Sequence, residues 1–192
     1  HVAGLILVGA AVPVPLATAR VAAAQLVRVV GMAPGILDAA VLLSGRRSPE
    51  AVARLLLKFC TPHTDRIPQA ALTAMVELET ERRGSLEAAR AFSMTVRSLT
   101  YWNLRRKRFY EKVERITAPA LIVHGRLDPL VPLRAAVELH RRRPDWGLAV
   151  FSDDGHTPML ERPAEFRQVV DAWLGERFGA GTALALRGVP DR

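Results

Sequence analysis

Two stretches of the chain carry side chains suited to acid–base chemistry. "SDDGHTPMLERP" places His156 just past the apolar run "LAVF", and "HGRLDPLVP" places Asp128 a few residues past "ALIV". An imidazole held against a carboxylate is a working base. The carboxylate accepts the Nδ1–H, fixes the tautomer and stabilises the imidazolium once Nε2 has taken a proton. Gly155 permits a tight turn ahead of His156, and Pro129, Pro132 and Pro158 stiffen the loops that carry both groups. Asp153 and Asp154 compete for the role of the acid, but as neighbours in the histidine's own loop they are expected to bind backbone amides. Glu161 is expected to anchor that loop, and His124 to be buried structure. His63 and His140 have no partners at metal-ligand spacing, so no metal site is expected.

Such a pair needs elements that bring it together. Three short apolar runs, "AGLILVGA", "APALIVHG" and "WGLAVFSD", read as buried parallel strands. Functional groups collect outside the carboxyl ends of such strands, which is where Asp128 and His156 fall. "PLRAAVELHRRRP" predicts a helix between the last two strands. "RPAEFRQVVDAWLGERFG" predicts a final amphipathic helix with Phe166, Val169, Val170, Trp173 and Leu174 on one face. Strand–helix–strand–helix order implies right-handed crossovers in one sheet.

Residues 16–113 change to helices punctuated by Pro and Gly, starting with "LATARVAAAQLVRVVG". In "SPEAVARLLLKFC", Ser48 is an N-cap with Pro49 at the first helical position. "SLEAARAFSMTVRSLTYWNLRRKRFYEKVERI" reads as a single helix carrying both Tyr101 and Tyr110, and Phe92, Met94, Leu99, Trp102 and Leu104 fit a pocket roof and ordinary core equally well. The expected organisation is a core strand and turn at 1–13, a helical insertion at 14–115, further core at 116–178 and a flexible tail at 179–192. The fold class is α/β: part of a doubly wound parallel sheet with a helical insertion. With helices on one flank, the first strand would leave an exposed edge.

Composition excludes several classes. The 49% hydrophobic and 24% charged fractions are those of a soluble globular chain, and the longest apolar runs are broken by Gly and Pro before they could span a membrane. The net charge of +8 is nearly all arginine mixed with acids. "LRRKR" and "HRRRP" have little aromatic interleaving, so they read as solvated helix faces and not as a nucleic-acid surface. One cysteine, Cys60, excludes an internal disulfide and fits a reducing, cytoplasmic setting, where it is expected to be a buried spectator.

"PALIVHGRLDPLVP" followed by "GHTPMLERP" resembles the C-terminal portion of the α/β-hydrolase fold superfamily. There a strand ending P-x-L-x-x-x-G-x-x-D-x-x-V-P supplies the acid of a catalytic triad, and G-H-x-x-x-x-E-x-P supplies the histidine. The resemblance implies Asp128 as the acid and His156 as the base. It also implies that "HVAGLILVGA" is the strand after the nucleophile helix and that the helical insert is a cap. The family's nucleophile sits on a G-x-S-x-G elbow. The serines here lie in "LLSGR", "RRSPE", "RGSLE", "AFSMT", "VRSLT" and "VFSDD", none of which has that form. The resemblance therefore places the nucleophile and the oxyanion-hole loop upstream of residue 1, and residues 1–192 alone are expected to be inactive.

The implied activity is hydrolysis of a carboxylic ester or related acyl group in a small to medium apolar substrate, without a cofactor. Trp102, Leu130 and Thr157 are expected to contact that substrate. An upstream Asp nucleophile would instead give an epoxide hydrolase or haloalkane dehalogenase, and an inert elbow a non-catalytic or truncated protein of this fold. Epoxide-hydrolysing relatives use two cap tyrosines, but Tyr101 and Tyr110 read as packing. The sequence sets no oligomeric state.

Overall fold

The structure, a computed structural model, describes residues 2–14, 36–44 and 46–179. The three apolar runs form one parallel sheet in the order β1 (Leu5–Val8), β2 (Ala120–Gly125), β3 (Gly147–Phe151). Leu5 lies opposite Ala120, and Leu121 opposite Gly147. The central strand β2 is buried along its whole length, which is why its sequence is apolar without alternation.

Alternate residues of β2 nevertheless serve different faces. Ala120 and Ile122 join Tyr110, Val113, Ala136, Leu139 and Trp146 on one side, while Leu121 and Val123 join Phe151, Trp173 and Leu174 on the other. Ala136 and Leu139 belong to α6 (Arg134–Arg142), and Trp173 and Leu174 to α8 (Pro163–Phe178), which follows the one-turn α7 (Pro158–Glu161). Helices therefore cover both faces, as the doubly wound class expected from the sequence requires. A strand apolar on both sides needs two covers, each fully buried Ile or Leu contributing about 1.5–3 kcal/mol.

Between β1 and β2 the described chain is helical: α1 (Ile36–Ser44), α2 (Pro49–Cys60), a 3₁₀ turn (Thr64–Arg66), α3 (Gln69–Arg82), α4 (Leu86–Leu104) and α5 (Arg106–Val113). The helix expected at 16–31 and most of the tail lie outside the described residues. α2 begins as its sequence dictates, with Ser48 Oγ accepting the Ala51 N–H at 3.2 Å and Pro49 in the first turn. Its Ala53 and Leu57 pack against Leu72 of α3.

The stretch expected as one helix from residue 86 is two, because the chain leaves helical geometry at Arg105 (φ −112°, ψ 40°). Tyr101 and Tyr110 therefore sit on different helices. The break lets α5 turn Tyr110 and Val113 into the cluster over β2. There the Tyr110 hydroxyl donates to the Pro13 carbonyl at 2.9 Å. Burial pushes that phenol above its ordinary pKa, so it stays protonated as the donor. Arg143 then donates to the Val113 and Ile116 carbonyls at 2.9 and 2.7 Å, satisfying groups left open where α5 ends.

On α6, Glu138 gathers Arg106, Arg141 and Arg142 at 2.9–3.0 Å. The hydrogen bond from Arg141, with Arg142 beside it, holds the Glu138 carboxyl down at about 2 despite partial burial. A folded-state value below the unfolded one means that this stability is present above the ordinary carboxylate range. It is lost as the pH falls from about 4.5 towards 2. Glu138→Gln should therefore melt at a lower temperature than the parent at pH 6. The two melting curves should converge as the pH approaches 2, which thermal scans across that window would show.

Candidate active site

The carboxyl ends of all three strands converge on one imidazole. Asp128, in the loop after β2, and His156, in the loop after β3, meet with Nδ1 and Oδ2 2.7 Å apart. The Asp128 side chain is fully buried, whereas that of His156 keeps 26% of its surface exposed. The other carboxylate oxygen, Oδ1, accepts the N–H groups of Leu130 and Val131, both at 2.8 Å. These two bonds fix the carboxylate plane and leave Oδ2 for the ring. Nε2 of His156 has no hydrogen-bond partner among the described residues, so the free end of the imidazole is available to a reacting group. Directly after β1 comes Gly9, whose φ of +54° suits glycine, and a Cβ there would lie 2.7 Å from the His156 ring. The first residue after β1 thus makes room for the imidazole.

The backbone around His156 is held as firmly as its ring. The His156 N–H donates to the Cys60 carbonyl at 2.7 Å, at the end of α2. The Gly155 N–H donates to both oxygens of Glu161 at 3.0 Å, and Thr61 Oγ1 donates to Glu161 Oε2 at 2.5 Å. Glu161 is 5% exposed, so its carboxylate replaces water with these donors. Burial, then the charges of Asp128 and Glu161, push the Cys60 thiol upward; it is the Cys60 carbonyl that contacts the site. Glu161→Ala would leave the Gly155 amide without a partner and the Thr61 hydroxyl without an acceptor, though it still accepts from the His63 N–H, and should cost about 3 kcal/mol in urea unfolding. Glu161→Gln should cost less, since its amide oxygen can still accept from Gly155.

Asp153 and Asp154 do not bind loop amides as expected. Arg66 donates to Asp153 Oδ2 at 2.6 Å and to the Asp153 carbonyl at 2.9 Å, and Arg162 Nε donates to Asp154 Oδ1 at 2.8 Å. Guanidinium forks from both sides offer charge-assisted bonds stronger than those of neutral amides. The Arg66 bond lowers the Asp153 carboxyl, while desolvation raises that of the buried Asp154 despite Arg162. His63 adds a contact to Asp153 at 3.3 Å.

Of the expected contact residues, Leu130 stands beside Asp128 with its side chain partly exposed, and Thr157 directly follows His156. Trp102 lies in the last turn of α4, where its ring neighbours are Tyr101, Phe109 and Lys112. Phe92, one of the proposed roof residues, instead lines a cleft of about 400 Å³ inside the helical segment, with Val52, Leu56 and Arg47. Met94 and Leu104 are largely exposed. Among the described residues no group of three or more His, Cys, Asp or Glu could hold a metal, and no helix is long and apolar enough to cross a membrane.

Sequence reasoning missed Cys60, Thr61 and Gly9 at this site. Two act through backbone, and the third is a hydroxyl with no local motif.

A parallel sheet covered on both faces, with an acid and a histidine presented from consecutive strand ends, defines an α/β hydrolase architecture. The chain belongs to the alpha/beta hydrolase family, whose sequence profile matches residues 2–169. Among curated relatives, the pimeloyl-[acyl-carrier protein] methyl ester esterase of Aromatoleum aromaticum is 37% identical over 59 residues, 31% of this chain and 24% of the esterase. The 2-hydroxymuconate semialdehyde hydrolase of Pseudomonas putida is 36% identical over 56 residues, 29% of this chain and 20% of that hydrolase. The thermophilic esterase of Thermogutta terrifontis shares the fold at a TM-score of 0.57 and 21% identity, covering 91% of this chain and 56% of that one. The chain thus spans little more than half of that structure, and its matches cover about a quarter or less of these curated relatives.

Proposed function

We propose that the protein hydrolyses carboxylic esters, or related acyl groups, of small to medium apolar substrates. His156 is the general base, Asp128 orients it, and a serine nucleophile is supplied from outside residues 1–192. The observation that carries this reading is the 2.7 Å contact between a fully buried carboxylate and an imidazole whose Nε2 is open. In the first step Nε2 takes the proton of the nucleophile as it attacks the acyl carbon. Asp128 stays ionised and stabilises the imidazolium, which then protonates the leaving alcohol. Water activated by the same Nε2 releases the acyl group. No cofactor enters these steps.

In this reading residues 14–115 form a cap, and Leu130, Thr157 and Trp102 contact the substrate. Residues 1–192 alone are inactive, and the protein works in the cytoplasm. The epoxide alternative is disfavoured because the Tyr110 hydroxyl is already committed to the Pro13 carbonyl.

A fluorophosphonate probe applied to the longest product of the coding sequence tests the proposal. Modification of one serine outside residues 1–192, found by peptide mass spectrometry and lost on heating the protein, is the expected result. No labelling together with turnover of an epoxide or haloalkane would replace the serine by an aspartate. No labelling and no turnover of any of these would sink the proposal.

A further inference from the structure

We infer that a second histidine, His124, is a positioning residue for Asp128; this rests on the reading of Asp128 and His156 as the working pair. His124 is fully buried near the end of β2. Its Nε2 lies 2.9 Å from the Val131 carbonyl, which can only accept, so Nε2 carries the proton. The same nitrogen stands 3.6 Å from Asp128 Oδ2, the oxygen that takes His156. One carboxylate oxygen is therefore flanked by two imidazoles, one bonded to it directly and one bonded to the loop that carries it.

Val131 is the link between them. Its N–H binds Asp128 Oδ1 at 2.8 Å and its carbonyl binds His124, so one residue is tied to the acid at one end and to β2 at the other. Val131 is itself buried, packed with Val14 and Ala135. Without the His124 donor its carbonyl would be left in an apolar setting with no partner, a cost that a shift of the loop would relieve. Such a shift moves the Val131 N–H, and with it one of the two bonds that set the carboxylate plane. Removing the imidazole also takes an N–H dipole away from Oδ2. Both effects loosen the bond between Asp128 and His156 without touching either residue.

The test compares His124→Leu, His124→Asn and His124→Gln in the longest product of the coding sequence. Glutamine can bring an N–H to the Val131 carbonyl from the position of Nε2; asparagine is too short and leucine has no donor. The readouts are the resonance of the His156 Nδ1 proton in protein labelled with ¹⁵N-histidine, the melting temperature, and kcat and KM for an ester. In the Leu and Asn variants the resonance is expected to move upfield or broaden away, with kcat down roughly 10- to 100-fold and KM little changed. Glutamine should restore both.

A Leu variant that melts lower but keeps the parent resonance and kcat would overturn the inference and leave His124 as core alone. If the Leu variant does not fold, equal behaviour of Asn and Gln overturns it. The resonance does not depend on turnover. If activity proved indifferent to His156 while the resonance still followed position 124, the proposed function would fail and the positioning role would stand.

Discussion

His156→Ala is expected to lower kcat for ester hydrolysis by roughly 10⁴-fold or more in the longest product of the coding sequence, with KM changed far less. The ring offers an unpartnered basic nitrogen on a side chain that keeps 26% of its surface exposed, and its other nitrogen is bonded to Asp128 at 2.7 Å, whereas the unpartnered Nδ1 of His124 is fully buried. In the proposed mechanism, removing the His156 ring strips the nucleophile of its proton acceptor and leaves the substrate-contacting surfaces in place. Asp128→Asn should approach the same loss by a different route. The amide can still accept from Leu130 and Val131, but an N–H turned towards the ring favours the wrong imidazole tautomer. Initial rates with an activated ester, taken alongside melting curves, check both. A His156→Ala protein that retains most of its kcat would remove His156 from the mechanism.

The largest expected effect on stability is at Gly125, the last residue of β2. A Cβ there would lie 1.9 Å from the Gly155 carbonyl oxygen and 2.3 Å from that of Asp154. Both are backbone atoms of the loop that presents His156, so no flexible side chain can swing aside. β2 cannot yield either, since it is paired on both edges and buried on both faces. Gly125→Ala should therefore cost about 3 kcal/mol or more in urea unfolding and should also displace the loop. Gly175→Ala is the matching control. It lies within α8 with open space around its Cβ position, and the change should stabilise by about 0.5–1 kcal/mol. If Gly125→Ala behaved like the control, the close approach of β2 to the histidine loop would be wrong.

The contrast between Asp128 and Cys60 explains what was legible in the sequence. Asp128 and His156 stood out because each follows an apolar run, and the chemistry of their side chains has few other uses at strand ends. The strands could be read for a related reason: "ALIV" and "LAVF" are apolar over successive residues, as two-sided burial demands. Cys60 serves through its carbonyl, an atom common to every residue, so nothing in its type announced the role. Thr61 reaches Glu161 from 100 residues away, and no local spacing encodes that meeting. Asp153 was misjudged for the same reason, its strongest donor, Arg66, lying 87 residues earlier. The helix break at Arg105 has no Gly or Pro to mark it. It follows from the pull of Tyr110 and Val113 towards the sheet, a tertiary demand that overrides local propensity.

The bond from the His156 amide to the Cys60 carbonyl has a mechanical consequence. It joins the end of α2 to the histidine loop, and Thr61, Arg66 and His63 add rivets to Glu161, Asp153 and Asp154 within a few residues. This corner behaves as a fixed pivot. Any swing of the helices that lifted residues 60–66 would drag the imidazole off its carboxylate. Opening that preserves the base must therefore rotate about this corner, with the greatest travel at the far end of α2, near Pro49. If the helices cap the site as proposed, changes meant to widen its entrance belong at that end, while cross-links placed near Thr61 would cost little in motion.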